Sequence, residues 1–160
     1  MRTLLLAGLI GLLAGCNTWT PQALFEQKAM KEQSIINTKK QEILLNGKRT
    51  LVIATYLNDI DHPFTPKNNA ENFIVAFYVG EQKADSAVIR SVSLNNTVEG
   101  IAWSALQPND RLLELLPVAN SWSRYFHVKA PVSADDVLTL VIETDPFAKV
   151  LLTFQKEQKD

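Results

Sequence analysis

The chain's two histidines, His62 and His127, are the residues whose neighbours in the sequence come closest to a metal-binding or catalytic site. His62 follows Asp59 and Asp61 closely, so that two carboxylates and an imidazole lie within positions 59–62. Carboxylates and imidazoles are common metal ligands. The segment lacks the glycine turn and further oxygen ligands of a calcium-binding loop, and no cysteine or second histidine lies nearby for zinc. We therefore expect a polar turn with Asx hydrogen bonds here, and no metal site.

His127 lies in a predicted strand, two residues before Lys129, so both side chains point to the same face. This predicts that His127 stands on the solvent face. Nucleophilic catalysis would need a serine and an orienting acid beside it. The candidate serines, Ser104, Ser121 and Ser123, lie in no nucleophile-elbow motif, and the sequence contains no phosphate-binding glycine loop or dinucleotide fingerprint. We expect no enzyme activity, no catalytic residue and no cofactor. A hydrolase that uses either histidine is the least favoured alternative.

The longest predicted connection is the segment 59–72, which joins two strongly apolar strands. Connections of this length are often functional. Phe64 lies between two prolines of this segment. Two interpretations stay open: a partner-binding loop with Asp59, Asp61, His62 and Phe64 as contact residues, or a crossover that Phe64 pins to the core.

The single cysteine, Cys16, directly follows a short apolar segment. Arg2 precedes an apolar run from Leu4 to Leu13, which is shorter than the ~20 residues of a membrane-spanning helix and is typical of a signal peptide. The residues Leu13-Ala14-Gly15-Cys16 resemble the lipobox of bacterial lipoproteins. This resemblance covers the first 16 residues. It implies that residues 1–15 are removed and that Cys16 then carries a thioether-linked diacylglycerol and an acylated amino group.

The resemblance also implies a location. Two or three acyl chains would keep the protein on a membrane, because a single chain gives only reversible binding. Residue 17 is Asn rather than the Asp that commonly retains lipoproteins in the inner membrane, so we expect the outer membrane. The net charge of −1 and the lack of a basic cluster predict no nucleic-acid partner. The expected partners are the membrane, through Cys16, and a protein or glycan.

One short helix is predicted before the β-rich part of the chain. Thr20-Pro21 is a typical helix start, and Gln22–Gln33 contains neither glycine nor proline. The apolar residues of this segment form a modest stripe that we expect to pack on the domain. They are Leu24, Phe25, Ala29 and Met30.

From Ile35 onward, β-branched and aromatic runs alternate with turn residues. Asn46-Gly47 predicts a hairpin between its flanking runs, and Asp145-Pro146 predicts a terminal hairpin with one buried face. In Phe73–Val79 both the odd-numbered and the even-numbered residues are apolar, which predicts a central strand covered on both faces. The other predicted strands are Val88–Leu94, Arg124–Lys129 and a short segment at Leu112–Leu116.

About seven or eight such strands predict an all-β fold, an immunoglobulin-like two-sheet β-sandwich over residues 34–160, after a tether and helix over 16–33. The likeness is architectural, because the cysteine and tryptophan hallmarks of antibody domains are missing. A closed barrel of lipocalin type is the alternative. Trp103 and Trp122 are expected to pack in the core or on a sheet, with an aromatic recognition surface as the alternative.

The expected function is a non-enzymatic binding, adhesion or assembly module of the envelope. The alternative is a carrier of small ligands or lipids, which would need an enclosed apolar cavity.

Overall fold

The computed structural model describes residues 21–45, 48–79, 88–145 and 148–157. Helix α1 spans Pro21–Ile36, and eight strands follow it in this part of the chain. The strands are β1 (Thr38–Leu45), β2 (Lys48–Tyr56), β3 (Glu71–Val79), β4 (Val88–Leu94), β5 (Ala102–Ala105), β6 (Arg124–Ala130), β7 (Val137–Asp145) and β8 (Ala148–Gln155). A 3-10 helix, Arg111–Leu115, lies between β5 and β6.

The strands form two antiparallel sheets. The five-stranded sheet has the order β1-β2-β3-β6-β5, and the three-stranded sheet has the order β4-β7-β8. The prediction of an all-β, two-sheet sandwich with one short N-terminal helix is confirmed. The strand order differs from the ABED and CFG sheets of immunoglobulin constant domains, so the likeness to them is one of architecture.

The main core lies between the two sheets. Because side chains alternate along a strand, every second residue of β3, β7 and β8 points into this space. The buried residues contributed by these three strands are Phe73, Val75, Phe77, Leu138, Leu140, Ile142, Val150, Leu152 and Phe154. Side chains from both sheets pack together there, as in a sandwich, whereas a carrier barrel would enclose a ligand cavity.

A second apolar cluster covers the outer face of the five-stranded sheet. Ile74 and Ala76 of β3 pack there with Met30 of α1 and Leu115 of the 3-10 helix. The prediction that β3 is covered on both sides is therefore confirmed, and the second cover is a helical layer. Hydrogen bonds also hold α1 in this layer, because Ser34 Oγ donates to the carbonyl oxygen of Leu115 at 2.5 Å.

Both predicted hairpin pairings are present. β1 pairs with β2, and β7 pairs with β8, each antiparallel over eight residue pairs. The predicted turn residues Asn46, Gly47 and Pro146 lie outside the described residues, as does the predicted helix cap Thr20.

Two predictions about secondary structure were wrong. The segment around Leu112–Leu116 is a 3-10 helix rather than a strand, and Asp110 caps it by accepting a hydrogen bond from the Leu112 N–H at 2.9 Å. Its leucines form two adjacent pairs around Glu114, a pattern too short for periodicity to distinguish the two structures. Instead, β5 forms over Ala102–Ala105, a four-residue edge strand that pairs with β6 and that the sequence pattern did not predict.

The predicted packing of α1 is also wrong in part. The helix extends to Ile36, and of its predicted apolar stripe Met30 alone is buried. Leu24, Phe25 and Ala29 face solvent. The buried side of α1 is polar as well as apolar, since Ser34 is fully covered.

A buried ion pair joins the C-terminal segment to the five-stranded sheet. Glu71, at the start of β3, lies 2.8 Å from the ammonium group of Lys156 and is almost fully covered. It also accepts hydrogen bonds from the Tyr56 hydroxyl at 2.6 Å and from the Ser133 N–H at 3.0 Å. Burial alone would raise the pKa of Glu71, but these hydrogen bonds and the charge of Lys156 outweigh it and lower the pKa. One carboxylate thus connects four segments of the chain.

Candidate functional site

The long connection between β2 and β3 is fastened at both ends by Asn58. Its amide Nδ2 donates to the Ala70 carbonyl at 2.7 Å, and its Oδ1 accepts from the Asn72 N–H at 3.0 Å. The predicted contact residue Asp59 is buried, and its Oδ2 accepts from the Glu157 N–H at 2.8 Å. Asp59 therefore ties the loop to the C-terminal segment, whereas Asp61 is exposed.

Phe64 packs inward from this loop. It lies against the second apolar cluster, and the guanidinium carbon of Arg111 stands 5.1 Å from the centre of its ring. His62 Nδ1 accepts a hydrogen bond from the Phe64 N–H at 3.3 Å, and the two rings meet edge to face at 4.9 Å. Of the two open interpretations, the structure matches the crossover that Phe64 pins to the core. A direct role of Phe64 in binding a partner stays a prediction.

Asp61 and His62 line two adjoining surface grooves. One has a volume of about 530 Å³ and is also lined by Gln33, Asn58 and Thr65. The other, of about 670 Å³, lies between the loop and α1. Within the described residues, no three His, Cys, Asp or Glu side chains are grouped as metal ligands would be.

The prediction that His127 stands on the solvent face is wrong. Its alternation was assigned correctly, but α1, the long loop and the 3-10 helix cover that face of β6, so His127 is buried. Its Nε2 lies 3.1 Å from Oδ1 of the fully buried Asn72. Burial lowers the pKa of His127, the charge of Lys129 lowers it further, and Asp110 opposes both. The lowered pKa favours the neutral form of the ring, which is hydrogen-bonded to Asn72.

Ser104 of β5 stands directly opposite His127 in the sheet, which brings one candidate serine to the neighbouring strand. The other two, Ser121 and Ser123, belong to the loop before β6, where the Ser123 N–H donates to Asn120 Oδ1 at 2.9 Å. In the part of the chain that the structure describes, His127 is thus a packed histidine whose hydrogen bond goes to Asn72 rather than to a serine.

The expectation that the two tryptophans pack in the core or on a sheet is wrong for Trp122, which is 71% exposed in the loop before β6. Trp103 is exposed on the edge strand β5 because the three-stranded sheet does not cover it. An aromatic side chain on a strand is buried only where another sheet or helix packs over it. The periodicity of the sequence does not show where such a covering element lies.

A third groove has a different chemistry from the two beside the loop. It lies on the outer face of the five-stranded sheet and has a volume of about 400 Å³. We call it the apolar groove; its main apolar lining is Ile35, Ile53, Ile74, Ala76, Leu116, Pro117, Val118 and Tyr125. Thr38, Lys40, Asn120 and Ser123 also line it. Local sequence patterns do not reveal this groove, because its walls come from α1, four strands and the segment after the 3-10 helix.

No protein-family model matches this chain, and searches of curated proteins and of solved structures find no similar protein. In the described part of the chain, no helix has both the length and the apolar character needed to cross a bilayer. Functional assignment therefore depends on the chain's own residues.

Proposed function

We propose that the protein is a lipid-anchored lipoprotein of the bacterial cell envelope, placed in the outer membrane by the lipid on Cys16. In this proposal its β-sandwich binds another protein and catalyses no reaction. The sequence support is Leu13-Ala14-Gly15-Cys16, whose resemblance to a lipobox gives the lone cysteine a function. The structural support is the apolar groove.

The apolar groove is the observation on which the binding role depends. Val118 is 75% exposed at its border, and Ile35 is also exposed there. Apolar surface that is gathered in a concave site often marks an interaction surface. The groove has an apolar centre with polar groups such as Lys40 and Asn120 beside it, which is the usual anatomy of a protein interface. Its mainly aliphatic lining favours an apolar protein segment over a glycan.

Site-specific photo-crosslinking in intact cells tests this role. A photoreactive amino acid at position 118 reports on the apolar groove, and the same amino acid at Leu151 is the control, since Leu151 is exposed on β8 of the opposite sheet. We expect a discrete adduct from position 118 and none from position 151. Mass spectrometry then identifies the partner, and binding is measured again with both purified proteins.

The groove variant Val118→Asp should weaken the binding of that partner by about tenfold or more, since burying an unpaired carboxylate opposes association. Leu151→Asp should leave the affinity unchanged. Equal crosslinking at both positions, or unchanged affinity of the Val118→Asp variant, would contradict a binding role for the groove.

A further inference from the structure

Helix α1 has exposed apolar side chains that the domain does not bury. Met30 and Ser34 point into the second apolar cluster and are buried. At 3.6 residues per turn, Phe25 and Ile36 lie on the side opposite Met30 and Ser34, and Leu24 lies on the flank of that outward side. These side chains are 52%, 71% and 70% exposed. This outward side runs from the first turns of the helix to its last residue, and Ile35 at its border also lines the apolar groove.

The charges on α1 balance one another. Lys28 and Glu32 lie on the outward face and form an ion pair at 3.9 Å, with both side chains well exposed. The helix contains one further lysine and one further glutamate, Lys31 and Glu26. The outward side therefore carries apolar side chains on both sides of a neutral ion pair, and has no net charge. A surface of this kind can enter the boundary between lipid headgroups and acyl chains without depending on anionic lipid.

The chain length between Cys16 and α1 limits how far the helix can lie from the membrane. Pro21, the first residue of α1, is five residues after Cys16. Five extended residues span at most about 18 Å. If Cys16 is lipidated as in the proposed function, the start of α1 cannot move further than that from the bilayer surface. A tether this short makes membrane contact intramolecular, so that a few apolar side chains are sufficient.

We propose that α1 lies along the membrane interface and inserts Leu24, Phe25 and Ile36 into it, as a second contact besides the lipid on Cys16. This inference rests on the proposed function. It fixes the orientation of the sandwich, because the three-stranded sheet lies on the far side of the five-stranded sheet from α1. Leu151, exposed on that far sheet, then faces away from the bilayer.

The test uses the full chain, made in a bacterium and reconstituted in vesicles of phosphatidylethanolamine and phosphatidylglycerol. A nitroxide spin label is attached at Leu24→Cys or, as control, at Leu151→Cys. The two leucines are matched at 52% and 53% exposed. Acylation blocks Cys16, so each variant has one reactive thiol. The depth of each label is measured from its collisions with oxygen and with a water-soluble nickel complex.

We expect the label at position 24 about 5–10 Å below the headgroups and the label at position 151 in water. Because the face is neutral, the depth should not change between low and high salt. A label at position 24 that is as accessible to nickel as the control, on a chain whose Cys16 peptide carries acyl chains, would overturn the α1 contact alone. A Cys16 peptide without acyl chains would overturn both this inference and the lipid anchor.

Discussion

Replacing Glu71 by Gln tests how far one buried carboxylate stabilises the sandwich. The substitution keeps the shape of the side chain but removes its charge, and leaves Lys156 with the Ser133 carbonyl, at 2.5 Å, as its described partner. Removing one partner of a buried ion pair typically costs about 3–5 kcal/mol. Lys156 keeps one hydrogen bond and is 21% exposed, so we expect about 3 kcal/mol here.

A loss of this size corresponds to a drop in melting temperature of roughly 10 °C for a domain of this length. The assay is thermal and urea unfolding of the purified protein in neutral detergent, followed by circular dichroism. The matched control is Glu143→Gln on β7, an exposed glutamate whose carboxylate accepts a hydrogen bond from Ser91 Oγ at 2.9 Å. Surface substitutions of this kind usually change stability by less than about 0.5 kcal/mol.

The effect should also depend on pH. The pKa of Glu71 is lower in the folded protein than its ordinary value of 4.5, so its contribution is complete well above pH 4.5 and is lost as the pH falls through the folded pKa. The difference between the wild type and the Glu71→Gln variant should therefore shrink in acid. A variant as stable as the wild type at pH 7, or a difference of constant size down to pH 3, would refute the role assigned to this ion pair.

Three further predictions concern buried or strained positions. The pKa of His127 is lowered by burial and by Lys129, so protonation of this residue favours the unfolded chain. The urea midpoint of the wild type should therefore fall as the pH drops from about 7 to 5. A His127→Gln variant that loses as much stability over that range would contradict this. Phe64→Ala should cost about 2 kcal/mol, because the ring is partly buried; reduced partner binding with an unchanged melting temperature would instead support a recognition role. Gly100→Ala should cost about 1–2 kcal/mol, because Gly100 has a φ of +71° and a Cβ would lie 2.8 Å from Pro131 Cγ; an unchanged melting temperature would show that the loop adapts.

The sequence predicted those parts of the fold that depend on local pattern. The alternation in β7 and β8 identifies their buried residues because a single layer covers one face of each strand. The pattern of Phe73–Val79, apolar on both faces, identifies β3 as central because two layers cover this strand. Hairpin pairing follows from turn residues between adjacent strands, and is independent of the rest of the chain.

The parts that the sequence did not predict depend on a third layer. His127 has the alternation of an outward-facing residue, yet it is buried because α1, the long loop and the 3-10 helix cover that face of β6. Conversely, Leu24 and Phe25 look like core residues of a helix but remain exposed, because α1 is held by Met30 and by the Ser34 hydrogen bond. The apolar groove arises where this helical layer leaves part of the sheet uncovered. Local periodicity carries no information about where such a layer ends.

The mass of the N-terminal peptide tests whether Cys16 carries lipid. The full-length protein is made in a Gram-negative bacterium, extracted in detergent and digested, and its N-terminal peptide is measured by mass spectrometry. We expect a peptide that begins at Cys16 and is heavier than its sequence by a diacylglyceryl group and an amide-linked acyl chain. Cys16→Ser should abolish this addition. An exported protein in which Cys16 is unmodified would contradict the account.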